Sequence, residues 1–170
     1  MVRSRDTELW LSEVKEKSKL RLFRRLKTNL TREDFLDWDI PASHRAQYAR
    51  LRSGTHQLRF ETGRWVEEKE EERLCKICVT GEVESEAHFL LECYVYNKLR
   101  RGMFAKIRYQ TGYDLLTMMD SKDWLMDVLI GHGLKSKEVR QKVGKAVAAF
   151  IAVAMRLRKK ECQQMVQARA

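Results

Sequence analysis

Apolar residues recur at three- and four-residue steps along most of the chain, the period of an α-helix, and sustained alternation is nearly absent. Leu9, Trp10, Val14, Leu22, Phe23, Leu26 and Leu30 outline a helix over residues 7–30. Lys15, Lys17, Lys19, Arg21, Arg24, Arg25 and Lys27 stand between them, so one face is apolar and the other densely basic. Thr31 caps a short helix through Phe35, Leu36 and Trp38, with Glu33 and Asp34 in its first turn. Pro41 ends that helix or opens the next. Ser43 caps a helix over residues 44–52 and Gly54 stops it. Leu58 and Phe60 fall on one side of a short extended segment within residues 55–65, and Glu67 to Glu72 reads as an exposed loop or helix.

Tyr94, Tyr96, Leu99, Met103 and Ile107 mark a further helix, with Tyr96 and Phe104 assigned to the core. Asp120 or Ser121 starts another through Trp124, Leu125, Val128, Leu129 and Ile130, stopped by Gly131-His132-Gly133. The final helix, residues 136–164, is the most apolar. Val139, Val143, Val147, Phe150, Ile151, Ala154 and Met155 make a stripe wide enough for a main core element or for a partner helix. Arg156, Arg158, Lys159 and Lys160 follow it, where they suit the helix dipole. The expected fold class is therefore mainly α, a small helical domain with at most a short β-hairpin.

Composition narrows this picture. With one proline and eight glycines in 170 residues there is no long flexible linker, and 1–170 reads as a single domain. No run of 18 apolar residues and no signal-peptide core is present, so the expectation is an intracellular, nuclear protein with reduced thiols and no membrane association. The net charge of +10 is unevenly spread. Residues 1–60 carry +6, residues 61–97 carry −6 and residues 98–170 carry +10. A polyanion is attracted to both flanks and repelled by the centre.

The acidic centre holds the most specific motif. Cys75, Cys78, His88 and Cys93 are spaced C-x2-C-x9-H-x4-C, the donor set of a closed Cys3His zinc site. Val79-Thr80-Gly81-Glu82 reads as the turn after the first pair, and Ser85 as the N-cap of the segment bearing His88. An unbroken α-helix would set His88 and Cys93 about 140° apart around its axis, so Cys93 belongs at or just past a helix end. Cys162, in a polar stretch, is assigned no role.

Several chemistries are missing. The only close carboxylates, Asp34, Asp37 and Asp39, read as surface residues rather than as a two-metal site. No His-x-Glu precedes a Pro-Cys-x-x-Cys as in zinc deaminases, and there is no phosphate-cradling glycine loop. A shell of four protein ligands leaves zinc no open position for water. The expectation is a non-enzyme without a small-molecule substrate.

The runs Arg50-Leu51-Arg52-Ser53-Gly54-Thr55-His56-Gln57-Leu58, Gly63-Arg64, Glu72 to Cys78, Glu84 to Cys93 and Tyr96-Asn97-Lys98-Leu99-Arg100 together resemble a known region. It is the zinc-binding segment that follows the polymerase in non-LTR (LINE-like) retrotransposon reverse transcriptases. The resemblance implies that Cys75, Cys78, His88 and Cys93 are the metal ligands and that the region binds RNA or a DNA target during target-primed reverse transcription. The polymerase and its Asp-Asp motif are not in this chain, which reads as a fragment, a remnant or a host-retained domain. Two functions are carried forward. In the first, the domain binds RNA or DNA through Lys19, Arg21, Arg24, Arg25, Lys27, Arg100, Arg101, Lys106 and Arg108, with one structural zinc. In the second, helix 136–164 pairs with a protein partner. Salt dependence of binding separates them.

Overall fold

The predicted final helix runs as α7, Lys137–Gln167, in the computed structural model, which describes residues 4–167. Ser136 starts it by accepting the Val139 N–H at 3.3 Å on its hydroxyl. Helices α3 (Ala42–Arg52), α5 (Asn97–Thr111) and α6 (Lys122–Leu129) pack against it. Val143, Val147, Phe150, Ile151 and Ala154 are all buried in these contacts. The stripe that could have served a partner helix is thus covered by the chain's own core.

Two aromatic groups fill that core. Phe89, Tyr96 and Phe150 meet with ring centroids 5.0, 5.7 and 6.4 Å apart, and Phe35, Trp38 and Tyr48 with centroids 5.4, 5.5 and 6.2 Å apart. Trp38 reaches α7 at Gly144, where a β-carbon would lie 1.8 Å from the indole. Gly144→Ala is therefore expected to lower stability by about 1–3 kcal/mol through overpacking. Alanine's helix-propensity advantage of about 1 kcal/mol offsets only part of this. A urea midpoint that held or rose would mean the Trp38 ring has room to yield.

The segment 7–30 is not one helix. It divides into α1 (Ser4–Glu16), a 3-10 turn at Ser18–Leu20 and α2 (Arg21–Leu26). Lys17 is extended, with φ −83° and ψ 104°, and the reversal brings Trp10 and Phe23 edge to face at 6.3 Å. In a continuous helix those rings would stand about 20 Å apart along the axis. Thr31 does not cap a helix. Its hydroxyl and N–H both go to Asn29, and a 3-10 turn at Asp34–Asp37 follows instead.

The stretch 55–65 also departs from expectation, because it forms α4 (Arg59–Thr62) and a 3-10 turn at Gly63–Val66 rather than an extended segment. The cause is distant in sequence: Glu84 accepts the Arg59 N–H on its carboxylate at 2.6 Å and the Phe60 N–H on its carbonyl at 3.2 Å. Donors at the helix start are thereby satisfied, and Leu58 and Phe60 are both buried. The protein is mainly helical, 68% helix and 1% strand with no sheet among the described residues. Its one β-bridge there joins Leu74 to Val83, the minimum of the expected hairpin. No helix is long and apolar enough to cross a membrane among these residues.

Candidate metal centre

The Leu74–Val83 bridge holds the first pair of cysteines at the end of a tight loop. The Cys75 N–H donates to the Glu82 carbonyl at 2.8 Å, and the Glu84 N–H to that of Arg73 at 2.9 Å. Between them Val79 (φ 31°) and Gly81 (φ 75°) take left-handed backbone. Glycine adopts this freely. A β-branched residue does so at a cost of about 1–3 kcal/mol, strain that is concentrated at functional loops. The turn foreseen at residues 79–82 is present.

The second half is built by a different device. Ser85 caps as expected, its hydroxyl accepting the His88 N–H at 3.1 Å and its carbonyl that of Phe89 at 2.9 Å. Residues His88–Glu92 then form a π-helical turn, closed by the Cys93 N–H donating to the His88 carbonyl at 2.8 Å. One extra residue per turn rotates Cys93 back toward His88, and the chain leaves the helix at Cys93 (φ −50°, ψ 117°). This resolves the angular mismatch that an α-helix would impose. Arg100 holds the result: its guanidinium donates to the carbonyls of Leu90 and Cys93 at 2.7 and 2.8 Å and to the Asn97 side chain at 2.6 Å.

Four ligand atoms, from Cys75, Cys78, His88 and Cys93, converge within 4.8 Å of one another, and all four residues are buried. Cys78 Sγ lies 3.2 Å from His88 Nε2 and 3.0 Å from the Thr80 hydroxyl. The other ring nitrogen, Nδ1, has no hydrogen-bond partner but faces a Glu92 carboxylate oxygen at 3.6 Å. Glu92 is in turn paired with Lys122. A carboxylate behind a ligating imidazole is the usual outer support of such a ligand.

The protons of the cluster are shared among its members. A hydrogen bond with Cys93 and burial push the Cys75 thiol up to about 12, the same bond holds Cys93 down, and hydrogen bonding to Cys75 raises His88. Protons held on Cys75 and His88 are hydrogen-bonded to neighbouring members of the cluster. A cation that takes thiolates and a neutral imidazole satisfies all four at once. The residues fit one bound metal ion.

A second buried group, His56, Glu61 and Glu86, has atoms within the same 4.8 Å. Its members already have protein partners, Glu61 accepting from Arg64 at 2.9 Å. The Leu58 N–H donates to His56 Nδ1 at 3.3 Å, and His56 Nε2 is hydrogen-bonded to a Glu86 carboxylate oxygen at 3.2 Å. Arg21 takes the other Glu86 oxygen at 2.6 Å. Burial alone raises Glu86, but His56 and Arg21 outweigh it and hold the carboxyl below its ordinary range. His56 is a satisfied core histidine. Asp34 and Asp37 are paired with Lys137, Arg140 and Arg32, and form no metal group among the described residues.

Folding redistributes the basic candidates. Lys27 and Arg100 are buried, Lys27 against Glu33 at 2.7 Å and Arg100 against the carbonyls named above, which corrects their assignment to phosphate contact. Arg21 stacks 4.4 Å over the Phe60 ring while bound to Glu86, and Arg25 pairs with Asp127 at 2.7 Å. Arg24 is exposed and donates to the Lys15 carbonyl. Lys19, Arg101 and Lys106 are exposed with no ion pair among the described residues, and Arg108 faces Asp114 at 3.3 Å. Arg158, read in the sequence only as a cation suiting the helix dipole, turns inward and forks onto Glu84. Exposed Arg50, Arg156 and Lys159 and the bare Trp65 ring were not among the nucleic-acid candidates of the sequence, which marked Arg156 and Lys159 only as suiting the helix dipole.

No protein-family model, curated protein or solved structure matches the chain.

Proposed function

We propose that the protein is a nucleic-acid-binding module stapled by one structural zinc ion, similar in role to the zinc-binding region of non-LTR retrotransposon reverse transcriptases and acting in the nucleus. The observation that carries the zinc assignment is the closed, buried Cys3His shell. Thiolate and imidazole donors select zinc over hard cations. The 3.2 Å between Cys78 Sγ and His88 Nε2 is close to the edge of a zinc-centred tetrahedron, about 3.6 Å. Four protein ligands leave no site for a water, so the ion holds the fold and does no chemistry.

The charge distribution supports the nucleic-acid part. After internal pairing, exposed cations remain at Lys19, Arg24, Arg101 and Lys106 and on α3 and α7, while the acidic residues concentrate in the centre. Purified protein titrated with RNA and DNA is expected to bind with an affinity that falls linearly in log salt, by about 0.7 to 0.9 per phosphate contacted. A flat salt response would instead favour a protein partner.

A further inference from the structure

The strongest unassigned surface lies where α3, the 55–57 loop and the last turns of α7 meet. A groove of 420 Å³ there is lined by Gln47, Arg50, Thr55, Gln57, Arg156 and Lys159, among others. Arg156 and Lys159 are three residues apart and share a face of α7, and Arg50 comes from the last turn of α3. None of the three has an ion pair among the described residues, and no carboxylate lines the groove. The neighbouring Arg59 and Arg158 differ, being held by Glu68 and Glu84. Folding has neutralised the cations beside the groove and left those inside it open.

Gln57 also lines an adjoining depression of 570 Å³, shared with Trp65, Lys76 and Met165. Trp65 is 76% exposed, an indole left in water in the same depression as Lys76, which has no ion pair among the described residues. None of Glu67 to Glu72 lines either depression. Cations that follow a backbone, amide and hydroxyl side chains between them and an uncovered aromatic ring are the parts of a single-strand binding path. In a duplex the bases are already stacked, so the ring would have nothing to receive.

We infer that a single strand of nucleic acid runs through this groove, with phosphates at Arg50, Arg156 and Lys159 and an unpaired base on Trp65. The inference rests on the nucleic-acid reading above and assigns it a surface and a substrate class. It replaces the α2 and α5 faces as the main contact.

The test is fluorescence anisotropy of labelled single-stranded RNA and DNA oligonucleotides, and of the duplex of the same sequence, with the zinc-loaded chain at two salt concentrations. Arg156→Glu/Lys159→Glu is expected to weaken single-strand binding by about tenfold or more and to flatten the salt slope by about 0.7 per lost contact. Trp65→Leu should weaken it by about ten- to a hundredfold and abolish quenching of tryptophan emission on binding. Both variants change exposed side chains, and circular dichroism melts verify that they fold. The competing α2 and α5 faces supply a control for total charge, Arg24→Glu/Arg101→Glu, which should cost clearly less affinity than the groove variants do. If the control loses affinity and the groove variants keep it, the groove assignment is overturned while nucleic-acid binding stands. Duplex binding as tight as single-strand binding, with no effect of Trp65, overturns the substrate class. Absence of any binding at low salt overturns the groove and the function together.

Discussion

Stripping the proposed zinc with a chelator is expected to lower the melting temperature by at least about 10 °C, and Cys78→Ser to do the same while reducing bound zinc from one per chain to substoichiometric levels. The size follows from what the ion holds. Structural zinc binding is worth about 10–16 kcal/mol in isolated fingers and counts as folding free energy. In a chain of this length each kcal/mol is worth about 2–4 °C. Here the ion would join a strained turn at Val79 to a π-helical turn at His88–Glu92, neither of which stands on backbone preference alone. Loss of the ion leaves buried thiols and an imidazole with unmatched protons. Phe89 and Leu90, buried between the two ligands of the second half, would lose their fixed place beside Phe150. The effect should therefore spread from the knuckle to α5 and α7, readable as faster amide exchange at Phe89, Leu90 and Tyr96. Unchanged melting in chelator, with zinc gone, would sink the structural-zinc reading.

What could be read in the sequence was local chemistry. The four ligands were legible because cysteine and histidine spacing is a property of the chain itself, and the cap at Ser85 and the start at Ser121 because each hydroxyl bonds a donor three residues on. Ser43, read as a cap, lies instead inside α3, which starts at Ala42 behind Pro41 with no side-chain cap. Helices α5, α6 and α7 were legible from their apolar period. The illegible parts depend on partners far away. Arg59 and Phe60 are helical because their N–H groups meet Glu84, and an isolated Leu58-x-Phe60 pattern carries no trace of that. Lys27 and Arg100 look like any surface cation until the fold supplies Glu33 and the carbonyls around the π turn. The break at Lys17 arises because Trp10 and Phe23 meet by folding back, a tertiary contact that overrides a continuous helical pattern. Summed charge predicted a basic surface correctly as a total, and could not say which cations would be spent inside.

Glu84 is the residue whose loss should cost most after the metal ligands. It is 1% exposed, and its carboxylate accepts two bonds from Arg158 at 2.7 and 2.6 Å and a third from the Arg59 N–H at 2.6 Å. Through it the acidic knuckle is fastened to α7 and to the start of α4. The Arg158 guanidinium is itself largely buried. Burial lowers its pKa, but the hydrogen bonds and charge of Glu84 prevail and raise it. Glu84→Leu strands that guanidinium and a backbone donor, at a cost of about 3–5 kcal/mol. Arg158→Met strands the carboxylate and should cost a similar amount. The double variant removes both charges, so it should recover much of the loss and give a large coupling in a double-mutant cycle. Bound metal should remain at one ion per chain in all three, since the ligands are held by their own turns between Leu74 and Cys93. Additive single losses would mean that Glu84 acts only through the Arg59 N–H. Loss of the ion in Glu84→Leu would mean that the knuckle cannot keep its shape without α7.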